Sequence, residues 1–224
     1  MSYSEEFEYG SEWYGGAYVE DWLPKIKTGE DLFKVYQKQQ GSFNRMHGWY
    51  KPLEDILKGN LLELGHNDGK SAFYLGKECV NLERIDCVDF NESLKSLEAP
   101  LRELVPKIDN IWYTDCRDIP KPNEYYNVIN CADFYEHLPT DIYHDSMKEC
   151  YRLLNPGGFM CVFFGKGTGP QHPEHINVLC DEQVIVDMYT HGFKFVMPIG
   201  AGYDRLLVFQ KPGPHIAFPP LSGI

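Results

Sequence analysis

The stretch Leu61-Leu62-Glu63-Leu64-Gly65-His66-Asn67-Asp68-Gly69 runs straight into Lys70-Ser71-Ala72-Phe73-Tyr74-Leu75 and constrains the fold more than any other part of the chain. The apolar run reads as a short buried strand, the glycines as a tight turn, and the segment that follows as a helix. Strand, turn and helix in that order bring backbone N–H groups and a helix N-terminus close to a ligand. Gly65 and Gly69 can take positive φ, and Asn67 is one of the few other residues that tolerates the left-handed region. With no Cβ at 65 or 69, a flat ligand is expected to lie directly on the backbone. A dinucleotide fingerprint, Gly-x-Gly-x-x-Gly, is not met, because positions 67 and 70 are Asn and Lys.

From residue 61 onward strand-like and helix-like segments alternate, which argues for a parallel sheet covered by helices on both faces. The second strand is Arg84 to Phe90, and Asp89 closes it 20 residues after Gly69. A carboxylate there can accept hydrogen bonds from both ribose hydroxyls of an adenosine ligand. The third strand covers residues 110–114, with Asp115-Cys116 at its end. The fourth covers 126–132 and is followed by Asp133-Phe134-Tyr135-Glu136-His137-Leu138-Pro139. A helix opens at Thr140, capped by that residue and with Asp141 in its first turn. Tyr143, Met147, Cys150, Tyr151 and Leu154 form one apolar stripe on it. Asn155-Pro156-Gly157-Gly158 stops the helix, and the fifth strand is 159–164. Asp181 caps a helix through Tyr189 that Gly192 ends, and residues 193–198 and 206–210 read as the last two strands.

The pattern Glu63-x-Gly65-x-Asn67-x-Gly69 resembles the first motif of class I S-adenosylmethionine-dependent methyltransferases, acidic-x-Gly-x-Gly-x-Gly, and departs from it only at Asn67. The segment 133–139 is similar to that family's fourth motif with its Glu-His-Leu continuation, and the run from Glu149 to Gly158 is similar to its next. The resemblance implies an α/β fold: a Rossmann-like seven-stranded, mostly parallel sheet of order 3-2-1-4-5-7-6, last strand antiparallel, helices on both faces. It implies S-adenosylmethionine as cofactor, held around Glu63, Gly65, His66, Asn67, Gly69, Asp89, Phe90 and Asp133. It further implies that Asp115 and Cys116 hold the adenine amino group. Glu63 or Asp133 would meet the methionine amino group.

The sulfonium of that cofactor already makes its methyl carbon electrophilic, so the protein must align a nucleophile, exclude water and, for some acceptors, remove a proton. His137, His172 and His175 are the candidate catalytic residues, since histidine titrates near neutral pH. A metal set of Asp133, His172 and His175 has no diagnostic spacing, and no metal is expected.

Residues 1–60 read as an aromatic-rich, helical N-terminal extension, 61–211 as the methyltransferase domain and 212–224 as a Pro/Gly-rich tail. Seven aromatics fall in the first 23 residues. We expect them to form a lid, with Tyr14 and Tyr18 over the cofactor and acceptor, because rings exclude water and stack on flat ligands. Thr28-Gly29-Glu30-Asp31 starts a helix in capping-box style, with Gly41 as its stop. Pro52 opens a second, short helix through Leu57.

The chain carries 21 basic and 33 acidic residues among its 224, a net charge of −12, and has no Lys/Arg cluster. A nucleic-acid partner is therefore not expected. No apolar run approaches the ~20 residues of a membrane span, and the acidic start Met1-Ser2-Tyr3-Ser4-Glu5-Glu6 is no secretory signal. Seven singly scattered cysteines point to reduced thiols in the cytoplasm rather than a disulfide framework. Acceptor selection is argued by exclusion: the Asn/Asp-Pro-Pro-Tyr segment of amino-methylating nucleic-acid enzymes is missing. That leaves a small-molecule or sugar acceptor, methylated on O or N. The oligomeric state is left open. The alternative reading is a non-catalytic methyltransferase-fold binding module, which Asn67 favours and the acids Glu63, Asp89 and Asp115 disfavour. An NAD-linked oxidoreductase is a second alternative, disfavoured by the glycine spacing.

Overall fold

The computed structural model describes residues 22–166, 175–202 and 204–213. Seven strands form one sheet: β1 (Gly59–Leu64), β2 (Leu82–Asp89), β3 (Ile108–Tyr113), β4 (Tyr126–Ala132), β5 (Leu154–Phe163), β6 (Lys194–Ile199) and β7 (Leu206–Gln210). Their order is β3-β2-β1-β4-β5-β7-β6. The pairs β1–β2, β1–β4, β2–β3 and β4–β5 are parallel, while β7 runs antiparallel to both β5 and β6. The sequence-based fold is therefore realised, including the antiparallel edge.

Alternation along each strand builds two cores. Leu61, Ile85, Val128, Cys161 and Val208 face one side, where they pack with Leu32, Tyr36, Trp49, Leu75 and Leu101. Leu62, Val88, Ile129, Met160 and Leu207 face the other, against Ile142, Met147, Leu153, Val184 and Met188. The helices of the first side are α1 (Gly29–Gln37), α2 (Gln40–Tyr50), α3 (Lys70–Glu78) and α4 (Glu98–Leu104). Those of the second are α5 (Thr140–Leu153) and α6 (Asp181–Thr190). Among the described residues no helix is long and apolar enough to cross a membrane. Cys87, Cys131 and Cys161 are buried free thiols, as expected.

The N-terminal helices depart from the sequence reading. Thr28 and Asp31 do form the capping box: Thr28 Oγ1 accepts from the Asp31 N–H at 3.2 Å and Asp31 Oδ2 accepts from the Thr28 N–H at 3.1 Å. But α1 stops at Gln37, and Gly41 lies in the first turn of α2 rather than ending a helix. Gly costs only ~1 kcal/mol there relative to Ala, and burial of Met46, Trp49 and Tyr50 along α2 offsets it. Lys51–Leu53 is a single 3₁₀ turn instead of the start of a longer helix. At other ends, Pro139 and Cys180, not Thr140 and Asp181, occupy the capping positions of α5 and α6. The run 155–158 already belongs to β5.

Candidate active site

In a sheet of this order β1 and β4 lead the chain to opposite sides, and ligands bind in the crevice beyond the strand ends at such a switch point. The turn after β1 is built for that place. Gly65, Asn67 and Gly69 all have positive φ, at 70°, 45° and 77°. The N–H groups of Gly65 and His66 donate to the Val88 carbonyl at 2.8 and 3.1 Å, and that of Gly69 to the His66 carbonyl at 2.7 Å. Gly69 caps α3.

Asp89 ties the turn to the end of β2. Its Oδ2 accepts from the Asn67 N–H at 2.9 Å and its Oδ1 from the Asn91 N–H at 3.0 Å. Each carboxylate oxygen keeps a second lone pair. A narrow cleft beside it is lined by Val88, Asp89, Phe90, Thr114, Asp115, Cys116, Phe134 and Leu138. Four expected cofactor residues, Asp89, Phe90, Asp115 and Cys116, thus share one wall. Asp115 is locked by Arg117, whose Nε and Nη2 donate to it at 3.0 and 2.6 Å. That pairing and the Arg117 backbone N–H hold its pKa below the usual carboxylate range, against the opposing effect of partial burial.

The turn glycines also make room for protein neighbours. A Cβ on Gly65 would lie 2.4 Å from Phe134 Cδ2, and one on Gly69 would lie 2.6 Å from Leu101 Cδ2. At both, the direction a side chain would take is filled by a protein side chain. Phe134 follows β4, and its ring joins Gly65 to the cleft.

Glu63 is buried beneath the turn. Its Oε2 accepts from Asn130 Nδ2 at 2.9 Å, and Asn130 Oδ1 accepts from Tyr50 OH at 2.8 Å. Burial pushes the Glu63 pKa up to about 8. His66 is also enclosed: among the described residues neither ring nitrogen has a hydrogen-bond partner. The ring meets Tyr113 edge-on at 5.9 Å, and burial lowers its pKa.

Asp133 stands at the end of β4 with φ 52°, a strained value for a non-glycine residue. Arg45 Nη2 of α2 lies 3.4 Å from its Oδ2, and that guanidinium is stacked over Trp49 and Phe163 at 4.9 and 5.0 Å. Burial in the recess raises the Asp133 pKa and Arg45 opposes it. Half of the side chain, 50%, is open to water, which offsets part of that cost. Next to it, Glu136 is fully buried, with its pKa pushed up to about 8 by burial. The His137 and His175 rings meet edge to face, 4.9 Å between centroids. The structure therefore brings two of the three candidate histidines together. His172, Tyr14 and Tyr18 lie outside the described residues. The convergent set is Glu136, His137 and His175; Asp133 is not in it.

Sequence reasoning missed the clamp on the turn from the N-terminal helices. Tyr36 OH donates to the Asp68 carbonyl at 2.5 Å, Gln39 Nε2 to Asp68 Oδ2 at 3.5 Å, and Lys70 Nζ to Gln39 Oε1 at 2.9 Å. It also missed Arg45 and Phe134. For Asn130 a signal existed, since an amide inside a buried strand requires partners. A separate cavity of about 700 Å³ between α1, α2 and α3 shares no residue with these groups.

Residues 61–158 match the family model described as a methyltransferase domain. Over that stretch the chain carries a methyltransferase domain. No curated protein sequence matches it. Among solved structures it is similar to a putative sarcosine dimethylglycine methyltransferase from Galdieria sulphuraria, with 14% identity, TM-score 0.64, and coverage of 88% of this chain and 97% of that one. It is similar to the N-methyltransferase NodS of Bradyrhizobium japonicum WM9 in complex with S-adenosylhomocysteine, with 18% identity, TM-score 0.56, and 79% and 87% covered. A third is the Burkholderia thailandensis 1,6-didemethyltoxoflavin-N1-methyltransferase with bound 1,6-didemethyltoxoflavin and S-adenosylhomocysteine, with 14% identity, TM-score 0.59, and 82% and 87% covered. At these identities the likeness is one of fold.

Proposed function

We propose that this methyltransferase moves the methyl group of S-adenosylmethionine to an oxygen or nitrogen of a small-molecule acceptor, at the C-terminal ends of β1, β2 and β4. The observation that carries the reading is Asp89. It is pinned by the N–H groups of Asn67 and Asn91, beside a cleft shared with Phe90, Asp115 and Cys116. The donor set fits the cofactor. Asp89 offers two oxygens to ribose hydroxyls, Phe90 and Phe134 offer apolar contact to a purine, and Asp115 with Cys116 meets its amino edge. The acids Glu63 and Asp133 suit a cationic amino group. When bound, the cofactor supplies an electrophilic methyl carbon on a sulfonium.

The remaining work falls to the chain itself. Arg45 fixes Asp133, and the Glu136–His137–His175 cluster activates the acceptor. A small acceptor is supported by the net charge of −12 and by relatives of this fold whose ligands are small, such as 1,6-didemethyltoxoflavin.

Thermal shift with S-adenosylmethionine and, separately, NAD tests the cofactor. Ligand at 100 times its dissociation constant adds ~2.7 kcal/mol of stability. Stabilisation by NAD alone, or by neither, would overturn the reading. Mass-spectrometric detection of +14 Da products across a panel of phenols, amines and sugars then identifies the acceptor class.

A further inference from the structure

The loop after β5 returns His175 to the segment that follows β4. The Asn177 N–H donates to the Glu136 carbonyl at 3.0 Å, which staples the two segments together. One carboxylate oxygen of Glu136 and one ring nitrogen each of His137 and His175 then lie within 4.8 Å of one another. Glu136 is 0% exposed. Its Oε1 accepts the Gly165 N–H, while its Oε2 is buried with no partner among the described residues. A fully buried carboxylate oxygen left without a donor is costly, so its retention needs a reason. Gly165 supplies a second sign of a built site. A Cβ there would lie 2.6 Å from His175 Cε1 and 3.0 Å from Glu136 Oε1. Only a residue without a side chain lets imidazole and carboxylate approach each other across it.

We propose that Glu136, His137 and His175 bind a first-row divalent cation, the Zn²⁺, Mn²⁺ or Fe²⁺ class. Two imidazoles and one carboxylate are the donor set that such ions take with further positions open to water or substrate. Donor atoms around a tetrahedral ion with ~2.0–2.1 Å bonds stand about 3.3 Å apart. A cation would also give Glu136 Oε2 the partner it lacks. The cluster borders Asp133, whose carboxylate senses the charge of His175. An ion here therefore sits at the same strand ends as the proposed acceptor.

Resting on the methyl-transfer reading, the ion's role is to ligate an acceptor oxygen and lower its pKa, with the proton released to solvent. The acceptor class is then a molecule with one or two adjacent oxygen donors. The site itself does not depend on that reading.

The experiment uses the full chain, stripped by chelator and titrated with Co²⁺ as a spectroscopic stand-in, and with Zn²⁺ and Mn²⁺ by calorimetry. We expect one equivalent bound, with visible Co²⁺ bands of a low-coordinate nitrogen–oxygen site. His175→Ala and Glu136→Gln should each weaken binding tenfold or more. Gly165→Ala, which keeps every ligand, should weaken it by pushing His175 away. Circular dichroism and the S-adenosylmethionine thermal shift, read on the same variants without metal, report folding and the cofactor reading independently. Failure of wild type to bind one equivalent of any of the three ions overturns the site. So does wild-type affinity in a folded His137→Ala/His175→Ala protein. Acetohydroxamate, a bidentate oxygen ligand, should shift the Co²⁺ bands; unshifted bands would mean that no position is open, and would overturn the acceptor role.

Discussion

Asp89→Ala tests the site most directly, because two functions meet in one carboxylate. The side chain accepts two backbone N–H bonds, at 2.9 Å from Asn67 and 3.0 Å from Asn91, and only 3% of the residue is exposed. Hydrogen bonds to a charged group contribute about 1.5–3 kcal/mol each. Asn67 is half-buried, so water can replace part of what it loses, whereas Asn91 is buried. A total of ~2–4 kcal/mol follows. For a chain of this length each kcal/mol moves Tm by ~2–4 °C, which gives a fall of roughly 4–16 °C. Losing the ribose acceptors should cost a further tenfold or more in S-adenosylmethionine affinity, tenfold being about 1.4 kcal/mol. Scanning fluorimetry reads the first effect, and calorimetry below the variant's melting range reads the second. The sequence alone argues only for lost affinity; the backbone bonds add the stability cost. A Tm within 2 °C of wild type would show that Asp89 does not anchor the turn. Unchanged affinity in a folded variant would show that the cofactor does not reach the end of β2.

Gly65→Val should both lose cofactor binding and lower Tm by 10 °C or more, since its side chain meets Phe134 and resists φ 70°; a stable, cofactor-binding variant in the same two assays would contradict this. Asn67→Gly should keep affinity within twofold, because glycine relieves the φ 45° conformation and retains the N–H that Asp89 accepts; a tenfold loss by calorimetry would reveal a contact of the asparagine side chain. Glu63 keeps its proton up to about pH 8 in the folded chain but loses it near 4.5 when unfolded, so the folded state binds more protons across that window. Its contribution is present below ~4.5 and lost as pH rises through about 8, with a slope of up to ~1.4 kcal/mol per pH unit; urea melts at pH 5, 6.5 and 8 should show a shallower fall for Glu63→Gln than for wild type. If the cofactor's amino group pairs with Glu63, binding at pH 7 should release a proton, seen as a dependence of the calorimetric heat on buffer ionisation enthalpy, and a buffer-independent heat would exclude the pair.

The sheet was legible because its strands are continuous apolar runs separated by Gly, Pro and Asp. Leu61 to Leu64, Val128 to Cys131 and Met160 to Phe163 are buried on both faces, so period alone could not mark them. Their length and their turn residues did. The order of the strands followed from the motifs rather than from periodicity. The N-terminal helices were less legible. Gly41 looks like a stop, but α2 runs past it because Met46, Trp49 and Tyr50 are needed to cover β4 and β5, a tertiary demand that overrides local propensity. Glu63, Asp89, Asp115 and Asp133 stood out because each ends or interrupts an apolar run. Arg45 and Phe134 did not, because a cation on a helix and a ring in a loop have many ordinary uses.

The glycine turn shows why the missed residues matter. A turn with three left-handed positions at alternate residues, one of them Asn67, does not hold its shape by local preference. It holds because Asp89 grips it from β2, Phe134 lies on Gly65 from β4, and Tyr36 and Gln39 grip Asp68 from α1 and the residues after it. Two of these three supports come from parts of the chain that no motif of the glycine turn encodes. On the proposed reading of the site, the extension before residue 61 supports the cofactor turn through its grip on Asp68. Tyr36→Phe tests that claim with little change in packing volume. It removes the donor to the Asp68 carbonyl while leaving the ring among Phe43 and Phe73. Loss of that one bond should cost ~1 kcal/mol of stability, a Tm shift of only a few degrees. It should still raise the dissociation constant for S-adenosylmethionine severalfold, because a loosened turn must be ordered again on binding. Equal affinity in the two proteins would mean that the turn holds its form without α1, and the extension would then be packing alone.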